Sequence, residues 1–344
     1  MSTTIAPQPD VPRTEGVSAA GWRPDPVISG FESCEVPLTA PPEAGEPDQP
    51  LVATLIRRAD PQLRTSRGAV LHVHGWNDYF YQTHLADQIE GMGLAFYAVD
   101  LRRYGRSFRE GQFHGYVADL SDYAEELDQV TALIRADHDR LLLMGHSTGG
   151  LTASLWAAAN PGRVAGLALN SPWLDLQGPA AAAGVLRPLL DQWGRHRPTA
   201  VIPVPEWDEP VFVRATHVKY HGEWTYDLAL KSDRARPIRV GWLRAVLRGH
   251  RQVAAGLDID CPIFVATSAE TVWLRRYSPR ARSADTVLSV DDIGVAATRL
   301  GHHVTLVRIE GGIHDLALSD PPAREAYFSH LAHWVGAYVS ADSN

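Results

Sequence analysis

Gly145-His146-Ser147-Thr148-Gly149 places a serine two residues from a glycine on either side, directly after the apolar run Leu141–Met144. A G-x-S-x-G spacing between a strand and a helix is the arrangement that lifts a serine Oγ clear of a tight turn. The turn strains the serine backbone, and a Cβ at either glycine would collide with neighbouring main chain. The helix that follows points its free N–H groups at any oxyanion forming beside the hydroxyl. A serine alone is a poor nucleophile at neutral pH, so a base and an acid that orients it must come from elsewhere. With both, the chemistry is attack on an acyl carbon, in esters, thioesters, lactones or amides.

The elements needed to position such a serine can be read on both sides of it. "FESCEVPLTA" and "LVATLIRRA" read as a hairpin around a Pro/Gly/Asp-rich loop at residues 41–50. Then "GAVLHVHG", "AFYAVDLR", "RLLLMGHS" and "VAGLALNSP" are short apolar strands, separated by the helical stretches "THLADQIEGMG", "SDYAEELDQVTALIRADHD" and "GGLTASLWAAANPG". Continuous apolar strands alternating with helices predict a mostly parallel sheet, covered on both faces. The alternation stops near residue 172 and resumes at "CPIFVATS", followed by helix "VDDIGVAATRLG", strand "HVTLVRIEG" and helix "PAREAYFSHLAHWVGAYV". The intervening stretch carries Trp193, Trp207, Phe212, Tyr220, Trp224, Tyr226 and Trp242 and reads as an insertion laid over the sheet.

"GHSTGG", "HVHGWNDY" and "DLRRYGRS" together resemble the α/β-hydrolase fold, most closely its branch of monoacylglycerol lipases, lysophospholipases and serine aminopeptidases. The resemblance spans about residues 51–338, with the insertion matching in position and length only. It implies an α/β-hydrolase core at 23–171 and 257–344 and a cap or lid at 172–256; residues 1–22, whose Pro, Ser, Thr and Gly bury too little surface to order them, read as a disordered tail. The resemblance also implies the chain order Ser, acid, His. "VRIEGGIHDLALSD" places His314 after the last strand, whereas His302 and His303 begin that strand and His330 and His333 lie in the closing helix. For the acid, "ADTVLSVDDI" offers Asp285 with Val287 two places on, provided 269–283 is a loop extension; Glu270 and Asp175 are the alternatives, and Asp291 and Asp292 suit a helix N-terminus. The resemblance implies oxyanion donors at the backbone N–H groups of Thr148 and Trp76, with His74, Gly75, Gly145, His146 and Gly149 supporting the two turns. Family members usually carry Gly and His where Arg103 and Tyr104 stand here. The segment around them reads as structural, with Asp100 and Arg102 tying the loop.

His72 and His74 alternate on a strand and so are expected on one face, but no third ligand has suitable spacing nearby, so neither a metal nor any other cofactor is expected. The chain has 344 residues, 45% of them hydrophobic and 21% charged, with net charge −8, which suits a sizeable core. No Lys/Arg cluster tracks a phosphate backbone, so no nucleic-acid partner is expected, and no apolar run of transmembrane length occurs. The N-terminus lacks the charged start and apolar core of a secretory signal. Cys34 and Cys261 lie far apart, and a reducing, cytoplasmic setting is expected. No sequence feature points to an oligomeric state.

The expected activity is hydrolysis of a carboxylic ester with a hydrophobic acyl or aromatic group, such as a monoacylglycerol or lysophospholipid-like ester. Lactonase, amidase, C–C hydrolase and cofactor-free haloperoxidase chemistry use the same three residues, and a non-catalytic ligand-binding homologue keeps the same fold. Product analysis and covalent labelling at Ser147 separate these.

Overall fold

The computed structural model describes residues 21–66, 68–176, 190–203 and 210–339. Residues 1–20 of the expected tail, and Trp207 of the aromatic insertion, lie outside them. Among the described residues nine strands form one sheet, in the order β1-β2-β3-β5-β4-β6-β7-β8-β9. They are β1 (Arg23–Pro24), β2 (Phe31–Pro37), β3 (Val52–Arg58), β4 (Gly68–Val73), β5 (Ala95–Asp100), β6 (Arg140–His146), β7 (Gly166–Asn170), β8 (Ile263–Ser268) and β9 (Val304–Ile309). The first three strands run antiparallel and join β5 antiparallel; from β5 to β9 every pairing is parallel. The hairpin and the parallel α/β core are those expected, and the architecture is the α/β-hydrolase fold.

Parallel pairing buries every residue of β4, β5, β7 and β8, which is why these strands read as unbroken apolar runs. Alternate side chains then divide between two layers. Leu71, Leu143, Leu169 and Val265 face α2 (Ala124–Arg135), α3 (Thr148–Ala159) and α6 (Val290–Ala297). Val70, Met144, Phe264 and Ala266 face α1 (Thr83–Gly91) and α7 (Pro321–Tyr338). Between β7 and β8 the described residues of 171–262 leave the sheet and carry α4 (Val211–Thr216) and α5 (Val240–Ala255). Helix α5 returns Trp242, Ala245 and Val246 to the first layer. Tyr226 and Val213 meet Tyr79, Tyr81, Ile313 and Leu318 in an apolar cluster of their own.

The loop after β5 is held by charge. Arg102 pairs with Glu126 and Glu125 of α2, Arg103 with Glu46, and Arg106 with both Asp25 and Asp100. Asp100 also accepts the N–H groups of Phe80 and Arg106.

The histidines of "HVH" do not share a face. His72 lies among Phe80 and Phe96, whereas β4 ends at Val73 and the chain turns, so the His74 ring packs on Tyr104 in the opposite layer. His72 is 3% exposed and neither ring nitrogen has a hydrogen-bond partner among the described residues; burial lowers its pKa to about 4. A histidine depressed from 6.5 contributes stability that is complete above pH 6.5 and is lost as the pH falls toward 4. Replacing it by leucine should therefore shrink the drop in Tm between pH 7.5 and pH 5, as read by thermal melts; an unchanged drop would show that the cost of charging lies elsewhere.

Candidate active site

Ser147 sits between β6 and α3 with φ 53° and ψ −119°. The glycines of the motif make this turn sterically feasible. A Cβ on Gly145 would lie 2.7 Å from the Gly149 carbonyl oxygen, and one on Gly149 would overlap the carbonyls of His74 and Val73. A Cβ on Gly75 would stand 3.1 Å from both the Ser147 Cβ and the His146 Nδ1. The loop after β4 therefore lies directly against the serine turn.

Three sequence-distant residues converge here. The Ser147 hydroxyl donates to His314 Nε2 at 3.0 Å, and His314 Nδ1–H donates to Asp285 Oδ2 at 2.9 Å. Asp285 is completely buried, and its other oxygen accepts the N–H groups of Val287 and Leu288 at 2.7 and 2.8 Å. Its backbone pairs with Glu270 and Val272, through Asp285 N–H to the Glu270 carbonyl and Val272 N–H to the Asp285 carbonyl. Residues 273–284 therefore form an excursion closed at its base, and the extra length leaves the Asp285–His314 contact intact.

The alternatives lie apart from this line. Glu270 is exposed and paired with Arg280, and Asp175 is exposed, accepting the N–H of Leu176. Asp291 pairs with Arg308, and Ser289 caps α6 by accepting Asp292 N–H. His302 pairs with Asp258 at the surface, and His330 and His333 are exposed on α7.

The N–H of Thr148 opens α3, where the first turn has no intrahelical acceptor. Neither it nor the N–H of Trp76 bonds to any acceptor among the described residues. His74 braces the turn before Trp76: its Nδ1–H donates to the Gly75 carbonyl at 2.8 Å, and its Nε2 accepts Leu101 N–H at 3.1 Å. Behind the turn lies a cavity of about 10 Å³, lined by Gly75, Tyr104, Tyr123, Thr148, Leu151 and Trp242, room for about one water molecule. The Trp242 ring tilts over that of Trp76 with centroids 4.0 Å apart, and Phe212 meets the His314 ring edge-on at 5.7 Å.

A second charged group flanks the triad. His146 packs its ring 5.0 Å from that of His314, with Nδ1 3.7 Å from Asp78. Asp78 in turn pairs with the buried Lys231 at 3.0 Å. Burial opposes the Asp78 anion, yet Lys231 and His146 hold its carboxyl well below the usual carboxylate range. Burial likewise opposes a charge on His146, but Asp315 and Asp78 outweigh it and raise its pKa. Sequence reasoning passed over Asp78 although it lies within "HGWNDY"; Phe212 was read only as one aromatic of the insertion, and Lys231 carried no signal, because only the chain's return over the sheet brings it here.

Residues 64–320 match the family described as serine aminopeptidase, S33. The chain belongs to that family. The matched span contains Ser147, Asp285 and His314; β1–β3 and α7 lie outside it. A monoacylglycerol lipase of Mycolicibacterium smegmatis is 31% identical over 109 residues, which cover 31% of this chain and 38% of that protein. The structure of Paleococcus ferrophilus monoacylglycerol lipase superposes with TM-score 0.58 at 18% identity, covering 79% of this chain and 95% of that one. A monoglyceride lipase from Saccharomyces cerevisiae gives TM-score 0.59 at 13% identity, covering 88% and 98%. These structural likenesses show the shared fold. No helix among the described residues is long and apolar enough to cross a membrane.

Gly149→Ala should be among the most damaging single-methyl additions in the chain, costing on the order of 2–4 kcal/mol because backbone, not a flexible side chain, must yield. Urea unfolding of the variant reads this directly, and a loss under about 0.5 kcal/mol would show that the turn can relax.

Proposed function

We propose that this protein is a serine carboxylic-ester hydrolase that works through an acyl-enzyme. The observation that carries the reading is the unbroken line Ser147 Oγ–His314–Asp285, with distances of 3.0 and 2.9 Å. His314 takes the Ser147 proton as Oγ attacks the substrate carbonyl carbon, and the backbone N–H groups of Thr148 and Trp76 hold the oxyanion. His314 then gives the proton to the departing alkoxide, so the alcohol leaves and the acyl group stays on Ser147. Water, deprotonated by His314, attacks the acyl carbon, and collapse of the second tetrahedral intermediate returns the proton to Ser147 and releases the acid. Asp285 holds the imidazole in the Nδ1–H tautomer and stabilises the imidazolium; it does not take the proton.

The substrate class follows from family and surroundings. The relatives named above are lipases of mono-acylated glycerol, and the rings of Trp76 and Trp242, packed on each other, and of Phe212, packed on His314, put apolar surface at the site. A monoacylglycerol or similar lipophilic ester is the reading these support. In it, residues 172–256 act as the cap over a core of 23–171 and 257–344. An amide substrate with a free amine would call for an acid in the cap; Asp208 and Glu209 lie outside the described residues, and Glu223 pairs with Arg324. Two free cysteines, Cys34 and Cys261, suit a reducing, cytoplasmic setting.

Hydrolysis of p-nitrophenyl esters from acetate to palmitate, beside fluorophosphonate labelling, tests this. Wild type should turn over with a preferred chain length and label at Ser147. Ser147→Ala should lose several orders of magnitude in kcat with its fold intact; surviving activity would end the assignment. Asp285→Asn should lose about 10³–10⁴-fold in kcat, while Glu270→Gln should stay within about twofold, its carboxylate being a surface charge. The reverse pattern would move the acid role to Glu270.

A further inference from the structure

The loop that carries Trp76 is gripped from two sides, and only one of them belongs to the core. His74 fixes its start through Gly75 and Leu101. Its continuation, Asn77–Tyr81, is bound by residues 227–236 of the chain excursion. Asn77 Oδ1 accepts the Ser232 N–H at 3.0 Å while Asn77 Nδ2 donates to the Ser232 carbonyl at 2.9 Å, a two-bond clamp on the main chain of one residue. Arg236 Nε adds a third contact to the same oxygen at 3.3 Å. Lys231 Nζ meets Asp78 at 3.0 Å and the Tyr81 hydroxyl at 3.0 Å, and Asp227 N–H donates to the Tyr79 hydroxyl at 2.8 Å.

This grip is built rather than incidental. Lys231 is 3% exposed and lies over the rings of Tyr81, Tyr226 and Phe212 at 4.9–5.4 Å. A lysine seated that deep requires its counter-ion, because an unpaired buried charge is strongly destabilising. Asp78 is the carboxylate that meets it, and Asp78 stands two residues after Trp76. Asn77 adopts φ 51°, a left-handed conformation that non-glycine residues other than asparagine and aspartate seldom take. The clamp on its side chain holds that conformation, and so sets the direction in which the chain leaves Trp76.

We infer that Asn77 and Lys231 are positioning residues for catalysis: through them residues 227–236 hold the Trp76 N–H at the oxyanion. The inference rests on the hydrolase reading above. It makes this part of the excursion a fixed member of the active site, whatever motion the rest undergoes. An oxyanion donor displaced by about 1 Å loses much of its effect on the transition state and little of its effect on the bound ester. The signature is thus in kcat, not in KM.

The test uses the full chain and three substitutions. Asn77→Gly keeps the left-handed backbone accessible and deletes only the clamp; Lys231→Met keeps the apolar stem and deletes the ammonium. Glu223→Gln removes a different contact between the excursion and the core, the ion pair with Arg324, and is the control. On a p-nitrophenyl ester, Asn77→Gly and Lys231→Met should lose about 10- to 100-fold in kcat, with KM within about threefold. A trifluoromethyl ketone, whose adduct with Ser147 carries an oxyanion, should lose affinity in proportion to kcat/KM. Glu223→Gln should leave all three quantities unchanged. If Lys231→Met does not fold, Asn77→Gly alone decides. Folded variants with kcat within about twofold of wild type, or a loss shared equally by Glu223→Gln, would overturn the proposal. A wild-type chain that neither turns over an ester nor labels at Ser147 would overturn the hydrolase reading, and the positioning role with it.

Discussion

Ser147 holds a backbone conformation that costs on the order of 1–3 kcal/mol and persists only where the surroundings over-determine it. Here they do. Its N–H donates to Asn170 of β7, and its carbonyl accepts N–H groups from Gly150, Leu151 and Trp173. The strand that leads into it is paired on both sides, with β4 and with β7. Where atoms had to be absent, they are: the missing Cβ atoms of Gly145, Gly149 and Gly75 let three stretches of main chain meet around one hydroxyl. The sheet and α3 supply the force that keeps the turn closed. The His314 loop and the Asp285 loop need only arrive at its open side.

Charge is the second organising element, and it is used in two ways. The three arginines after β5 tie that loop to α2, to Glu46 and to Asp25, and they touch none of the three triad residues. The group Lys231–Asp78–His146, with Asp315 held by Asn170 and Gln82, instead lies against His314. Both groups are buried, so neither tolerates the loss of one partner. The second is therefore simultaneously structural and electrostatic: it joins the excursion to the core and determines the charge beside His314.

Most of the scaffold was legible in the sequence because parallel strands buried on both faces have to be written as apolar runs. Motif spacing placed the serine, and the assignment of His314 and Asp285 relied on resemblance. Where periodicity was the guide it worked until the strand ended: His72 and His74 were expected on one face, but β4 stops at Val73 and the turn sends the second ring to the other layer. Legibility failed most in residues 171–262. There Phe212 sits on the short helix α4 and Lys231 on an irregular segment, and the direction of both is set by packing on the core. No local pattern announces a lysine that will pair with an aspartate more than a hundred residues earlier.

The hydrogen bond from Ser147 to His314 joins residues 167 apart in sequence, and that from His314 to Asp285 spans 29. Loops of such length close late, since their entropy is spent before the contact repays it. β9, the strand before His314, is also at the far edge of the sheet from the N-terminal hairpin. Ser147, Asp285 and His314 thus meet only when the strands that precede them are paired within the one sheet. In the hydrolase reading, regained turnover during refolding reports the completion of the sheet.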